Sequence, residues 1–268
     1  MSGLEGQVAF VTGANTGQGK AIAIALARQG ADVVVADLQE TPGTEDWDTP
    51  GLTTVQAIEK EGRRATFIKL DVGDEAAFDA AVEETVATLG RLDIMVNNAG
   101  VVRGAARLHT FSAEDLDFCY HVNTRGAWNG TMAAIRHFLA NNKPGQVLHT
   151  VSTAGINPYM NEGPYAMTKA ATAMLVRNAA AEYAAKGIRV NGICPTFVRT
   201  GMTASIAELD TFKEFLPTFI PTGRMAEVSD IANAAVFLTS PESNFLTGIL
   251  LPVDGGESVC RPEVPELS

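Results

Sequence analysis

Short apolar runs alternate with longer amphipathic stretches along most of the chain. Residues 7–12 (QVAFVT) read as a strand and 17–29 as the helix after it. Residues 32–36 (DVVVA), 65–70 (ATFIKL), 94–97 (IMVN), 146–151 (QVLHTV), 189–193 (RVNGI) and 250–253 (LLPV) complete a set of seven strands. Helical patterns fall at 75–89, 112–141, 165–185 and 229–238. Strands that are apolar almost throughout are those of a parallel sheet covered on both faces. Strand–helix alternation of this kind predicts an α/β, doubly wound sheet with helices on both sides. No internal repeat, low-complexity tract or linker breaks the pattern, so residues 1–268 are expected to form a single domain.

Two segments depart from the rhythm. Residues 38–52 (LQETPGTEDWDTPGL) are acidic and rich in turn formers, and read as a surface loop. Residues 200–225 make a long strand-to-helix connection carrying Met202, Ile206, Leu209, Phe212, Phe215, Leu216, Phe219 and Ile220. Long connections in compact domains often serve as lids or binding loops, and this one is expected to cover a substrate. The alternative is a surface helix packed on the core. The tail, residues 257–268, carries no diagnostic pattern.

Composition narrows the setting. At 268 residues, 46% of them hydrophobic, the chain can bury a sheet on both faces. The opening MSGLEGQVAFVTG has no basic region followed by an apolar one, so no signal peptide is expected. No apolar run reaches the ~18 residues of a transmembrane helix. Cys119, Cys194 and Cys260 are widely spaced and form no CxxC pair, which points to a reducing cytoplasm. The net charge of −11 argues against nucleic acid or an anionic membrane as partner. The excess of Asp and Glu is read as a solubilising surface.

The first strand runs into Thr12-Gly13-Ala14-Asn15-Thr16-Gly17-Gln18-Gly19, which opens the first helix. Glycines allow a tight turn and let the backbone approach a pyrophosphate. The helix N-terminus offers free N–H groups and partial positive charge to the phosphates. Asp37 ends the second strand about 20 residues on, where a carboxylate accepts from the adenosine ribose hydroxyls and repels a 2′-phosphate. No Arg or Lys stands at Thr16 or Leu38. NAD is therefore the expected cofactor.

With this glycine spacing, Asn97-Asn98-Ala99-Gly100, Ser152 and Tyr165-Ala166-Met167-Thr168-Lys169, the chain resembles the short-chain dehydrogenase/reductase family. The resemblance is to its compact single-domain branch and covers roughly residues 3–256. It implies a Rossmann-type sheet of mostly parallel strands in the order 3-2-1-4-5-6-7, and a homotetramer or, alternatively, a homodimer. It implies that Asp71 and Val72 lie beside the adenine and that Asn98, Ala99 and Gly100 line the cofactor. It adds Asn15, Thr16, Gln18 and Leu38 to the cofactor set, and Pro195, Thr196, Val198 and Met202 after the sixth strand. Thr200 would bond the carboxamide. Asn123 would complete a catalytic tetrad with Ser152, Tyr165 and Lys169 by anchoring a water behind the lysine. Thr196 departs from the family's usual Gly. Residues 38–52 also resemble the lengthened connection of carveol-type dehydrogenases.

The residues themselves suggest how such a set works. Tyr165 and Lys169, four apart, share a helix face. Lowering a phenol by three units takes about 4 kcal/mol, and a cation about 4 Å away at a dielectric near 20 supplies about that much. Lys169 is therefore expected to lower the Tyr165 pKa, Tyr165 to take the alcohol proton and Ser152 to hold the substrate oxygen. Both Tyr165 and Lys169 would also touch the cofactor. The histidines form no HxxH or HExxH pattern, so no metal site is expected, and Ser152 lies in VSTAG rather than a GxSxG elbow. Expected substrate contacts are Ala154, Tyr159, Met160, Phe197 and Ile206, with Val102 and Ile156 as further candidates. They are mostly apolar, and the nearest cations that could clamp an acid are Lys213 and Arg103. The expected substrate is an uncharged secondary alcohol or ketone, apolar or cyclic. A biosynthetic ketone reductase and a non-catalytic nucleotide-binding scaffold remain as alternatives.

Overall fold

A computed structural model describes residues 3–40 and 51–260 of the chain. Seven strands, β1 (Val8–Thr12), β2 (Asp32–Asp37), β3 (Ala65–Lys69), β4 (Ile94–Asn97), β5 (Gly145–Thr150), β6 (Ile188–Pro195) and β7 (Leu250–Val253), form one sheet. Their order is β3-β2-β1-β4-β5-β6-β7. All neighbours pair in parallel, with Phe10 opposite Val34 on one side and Met95 on the other. The expected order and architecture are those observed.

The period-2 geometry of strands divides the core in two. Val8 and Phe10 of β1 enter one apolar layer with Phe78, Phe138 and Val176, from α3 (Glu75–Leu89), α5 (Ala127–Ala140) and α6 (Gly163–Tyr183). Ala9 and Val11 enter the opposite layer with Ile22, Ile58 and Ile231, from α1 (Gly17–Arg28), α2 (Thr54–Lys60) and α9 (Val228–Thr239). Local chemistry sets the helix ends. Asp74 caps α3 by accepting from Ala77 N at 3.1 Å, and Gly90 closes it with a left-handed φ of 90°.

Three features refine the sequence reading. Helix α2 was absent from it, although Thr53 and Gln56 form a reciprocal capping box at its start. The long helix expected over 112–141 is divided: α4 (Ala113–Cys119) and α5 are joined by a π-helical stretch, Tyr120–Gly126. Such stretches re-aim side chains and recur at functional sites, and this one carries Asn123. The connection 200–225 contains α7 (Ala204–Ala207) and α8 (Asp210–Phe219) around a small cluster of its own, with Ala207, Leu216, Ile220 and Met225 packed on Phe197, Phe212 and Phe219. Most of the loop 38–52 and of the tail 257–268 lies outside the described residues. At the near end of that loop, the Lys20 ammonium donates to Leu52 O at 2.9 Å.

Close packing around Gly145 tests this core. A Cβ there would stand 2.3 Å from Cε2 and 2.4 Å from Cδ2 of the buried Phe138. Gly145→Ala is expected to cost about 1–3 kcal/mol of stability through overpacking, read as a lower urea midpoint with unchanged slope. Phe138→Leu in the same chain should recover part of that loss. An unchanged midpoint in Gly145→Ala would contradict the packing.

Candidate active site

In this strand order the chain leaves β1 towards β2 and later returns to β1's other side as β4, so a crevice opens at the carboxyl edge between them. The cleft there has a volume of about 910 Å³. Asn98, just past β4, holds its floor. Its amide donates to Thr12 O at 3.0 Å and Gly13 O at 3.2 Å, while its carbonyl accepts from Thr150 Oγ1 at 3.0 Å. One side chain thus ties β1, β4 and β5. Thr12 Oγ1 in turn accepts from Asn98 N and Ala99 N at 3.0 and 3.1 Å.

The glycine turn packs directly on this knot. A Cβ on Gly13 would lie 2.9 Å from Ala99 Cα, and its φ is 61°. A Cβ on Gly19 would lie 2.0 Å from Gly13 O. Neither position admits a side chain without moving backbone. Across the turn, Asp37 Oδ2 accepts from Asn15 N at 3.0 Å and Oδ1 from Leu38 N at 2.8 Å. The second strand's carboxylate is therefore fixed beside the turn by main-chain donors.

At the other end, Ser152 follows β5 while Tyr165 and Lys169 rise from the first turns of α6. Ser152 Oγ accepts from Ala154 N at 3.1 Å and lines the same cleft as Tyr165. Lys169 is 4% exposed; its ammonium donates to Thr150 O at 2.8 Å and stands 5.6 Å from the Tyr165 ring centroid. Asn123, delivered by the π stretch, donates to Val101 O at 2.9 Å and Thr168 Oγ1 at 3.0 Å, and accepts from Val101 N at 2.8 Å. Its own carbonyl accepts from Thr172 Oγ1 at 3.1 Å. The Asn123 side chain thus fastens the wall behind Lys169.

Electrostatics in this cleft differ from the sequence expectation. Burial pushes the Tyr165 phenol up to about 12, outweighing the influence of the Ser152 hydroxyl, which pulls it down. Burial also pushes Lys169 down to about 8. The predicted lowering of Tyr165 by Lys169 is not realised here, because desolvation penalises both charged forms.

The cleft is lined by Gly13, Thr16, Gly17, Gln18 and Gly19, by Asp37, Leu38, Asp71 and Val72, and by Asn98, Ala99 and Gly100. Ser152, Tyr165, Lys169, Pro195, Thr196, Val198, Thr200 and Met202 continue the lining, followed by Val102, Tyr159, Phe197 and Ile206. Five expected residues lie outside it, Ile156 among them. Asn15 reaches the site through its backbone, and Asn123 sits behind the wall. Ala154 is buried, with its N–H turned to Ser152. Met160 is 79% exposed to solvent.

The family profile described as enoyl-(acyl carrier protein) reductase matches residues 13–258. L-2,3-butanediol dehydrogenase of Corynebacterium glutamicum is 37% identical over 262 residues, 93% of this chain and 98% of the relative. The chain belongs to the short-chain dehydrogenase/reductase family. Among solved members, carveol dehydrogenase from Mycobacterium avium in complex with NAD superposes with a TM-score of 0.84 at 32% identity, covering 97% of this chain and 100% of that one. A gluconate 5-dehydrogenase from Burkholderia cenocepacia in complex with NADP and tartrate gives 0.88 at 32% identity, covering 97% and 98%. The protein is accordingly an oxidoreductase, and the scaffold reading falls away.

As a short-chain dehydrogenase/reductase, the chain handles Thr196 in an individual way. The Thr196 hydroxyl donates to Glu257 Oε2, a residue that the sequence reading left in an undiagnostic tail. Glu257 is 8% exposed, and Thr153 Oγ1 donates to Pro195 O, beside Thr196, at 3.2 Å. Thr153 Oγ1 in turn lies 2.8 Å from the Tyr159 hydroxyl, and Tyr159 meets Phe219 edge-on. This chain of contacts links the end of β6, the turn after Ser152 and the apolar segment 200–225. No motif marks Glu257; only folding brings it to Thr196.

Burial raises the Glu257 carboxyl to about 7. A raised carboxyl favours the protonated native state, so its contribution is full below the ordinary value of 4.5 and is lost as pH rises through about 7. Glu257→Gln is therefore expected to melt above the wild type by a margin that grows between these two pH values and then levels off. A margin independent of pH would show that Glu257 is not buried as described.

Proposed function

We propose that the protein is an NAD-dependent dehydrogenase acting on an uncharged secondary alcohol, apolar or cyclic, with Ser152, Tyr165, Lys169 and Asn123 as its catalytic set. One observation carries this reading: Ser152, Tyr165 and Lys169 meet on a single cleft at the sheet's carboxyl edge, beside the glycine turn. A dinucleotide fits the rest of the cleft. The turn leaves bare backbone where a Cβ would collide, and the first turn of α1 holds no acid that would oppose a phosphate.

NAD over NADP is supported by Asp37 and Asp71, two carboxylates at the adenosine end of the lining. The neighbouring residues 41–50 (TPGTEDWDTP) contain no Lys or Arg to receive a 2′-phosphate. The solved relatives differ on this point, one holding NAD and the other NADP. Bound NAD would supply the hydride acceptor, and its positive charge would favour loss of the Tyr165 proton to solvent. The Tyr165 phenolate would then accept the carbinol proton while Ser152 holds the same oxygen. Lys169, retained by the Thr150 carbonyl, adds favourable charge while it is protonated. The segment 200–225 closes over the substrate half as a lid. The reverse reaction, ketone reduction, draws support from the same phenol: held up to about 12, it remains a protonated donor for a carbonyl. Exposed Trp128, Leu139, Met167 and Met174 on α5 and α6 support assembly into a homotetramer or homodimer. The free cysteines support a cytoplasmic location.

Tyr165→Phe is expected to lower kcat/KM for alcohol oxidation by about 10²–10⁴-fold. NADH binding, followed by nicotinamide fluorescence, should persist. Near-wild-type turnover in that variant would mean that another group takes the proton. Asp37→Ala should narrow the preference for NADH over NADPH in calorimetry by about tenfold or more, since a like-charge clash at this site is worth several kcal/mol. Equal binding of the two nucleotides to the wild type would reject the NAD assignment.

A further inference from the structure

The substrate end of the cleft contains a carboxylate that the mechanism does not use. Glu162 lines the cleft three residues before Tyr165, at the N-cap of α6, where its side chain caps nothing. Residues three apart at a helix start are neighbours on one face, with Cβ atoms about 5–6 Å apart. Its place is anchored from the preceding residue: Asn161 adopts a left-handed φ of 70° and its carbonyl accepts from Ala106 N at 3.0 Å. That link holds the turn against Gly104 and Ala105, which also line the cleft. The half-buried Glu162 carboxylate has no hydrogen bond or ion pair among the described residues. Burial raises its pKa, and its charge is felt at Tyr165. Lys169 is the one cation in the described lining, and it is committed to Thr150.

An acceptor left unpaired in a drying cleft asks for a donor on the ligand. Substrate anions are disfavoured by the carboxylate itself. A substrate ammonium is disfavoured by the buried Lys169 on the far side of Tyr165. A hydroxyl satisfies both conditions. We infer that Glu162 is a specificity-determining residue that accepts a hydrogen bond from a second hydroxyl adjacent to the reacting carbinol, so that the preferred substrates are vicinal diols or polyols and the matching α-hydroxy ketones. This inference rests on the secondary-alcohol reading above and narrows it: one end of the substrate is polar.

The test compares kcat/KM for 1,2-cyclohexanediol against cyclohexanol, and for 2,3-butanediol against 2-butanol, in the wild type, Glu162→Ala and Glu162→Gln. A hydrogen bond to an ionised acceptor is worth about tenfold to hundredfold. The wild-type diol-to-monoalcohol ratio is therefore expected at about tenfold or more. It should fall towards one in Glu162→Ala and keep an intermediate value in Glu162→Gln, which retains an acceptor oxygen and controls for a misfolded alanine variant. A wild-type ratio near one, or a ratio that both variants preserve, overturns the assignment of Glu162 while leaving the alcohol reading intact. Preference for 2-aminocyclohexanol over the diol overturns the hydroxyl in favour of an ammonium. Absence of turnover with every alcohol and ketone, using either nucleotide, overturns the alcohol reading and this inference with it.

Discussion

The Asn98 side chain holds the site together at its weakest point. Where β1 and β4 are neighbours, their chains depart in opposite directions along the sheet, and the edge between them opens. Asn98 closes that edge by bonding the last carbonyls of β1 and the end of β5 at once. The glycine turn is packed on the same knot, close enough that no Cβ fits at Gly13 or Gly19. The glycine-turn end of the cleft and the end lined by Ser152, Tyr165 and Lys169 therefore share one hydrogen-bonded support. A disturbance of Asn98 would be felt at both ends.

Desolvation is the second organising influence, and it acts on charged groups with one sign. Tyr165 is raised to about 12, Lys169 lowered to about 8, Glu257 raised to about 7 and the fully buried His149 lowered to about 3. Burial thus opposes charge on each of these groups, while the carboxylates of Asp37 and Asp71 stand at the opposite end of the cleft from Tyr165 and Lys169.

The substrate half has a different character. It is built from segments distant in sequence: Thr153 and Tyr159 after β5, Glu162 before α6, Phe197 after β6, the aromatic cluster of 200–225 and Glu257 after β7. Thr196 fits here because its hydroxyl finds a carboxyl partner. Its apolar wall and single half-buried acid give the pocket two unlike ends. The comparison proteins act, by their names, on substrates as different as carveol, butanediol and gluconate.

The strands, the glycine turn, Asp37 and the shared helix face of Tyr165 and Lys169 were legible in the sequence because each depends on local rules, whereas the strand order came from the family resemblance. Strand burial follows apolar runs, helix faces follow three- and four-residue spacing, and tight turns demand glycine. Helix α2 went unread although its capping box was present, since its seven residues carry too short a period to stand out. The π stretch that aims Asn123, the outward Met160 and the buried Ala154 were not legible, because side-chain direction depends on how one helix or turn meets another. The same holds for the pKa values: spacing alone suggested that Lys169 would charge Tyr165, whereas the depth of burial decided otherwise. Sequence determined which groups are present and on which elements they ride. Tertiary structure decided which groups are dry, which are paired and which face the cleft, because desolvation and long-range contact exist only once distant segments have packed.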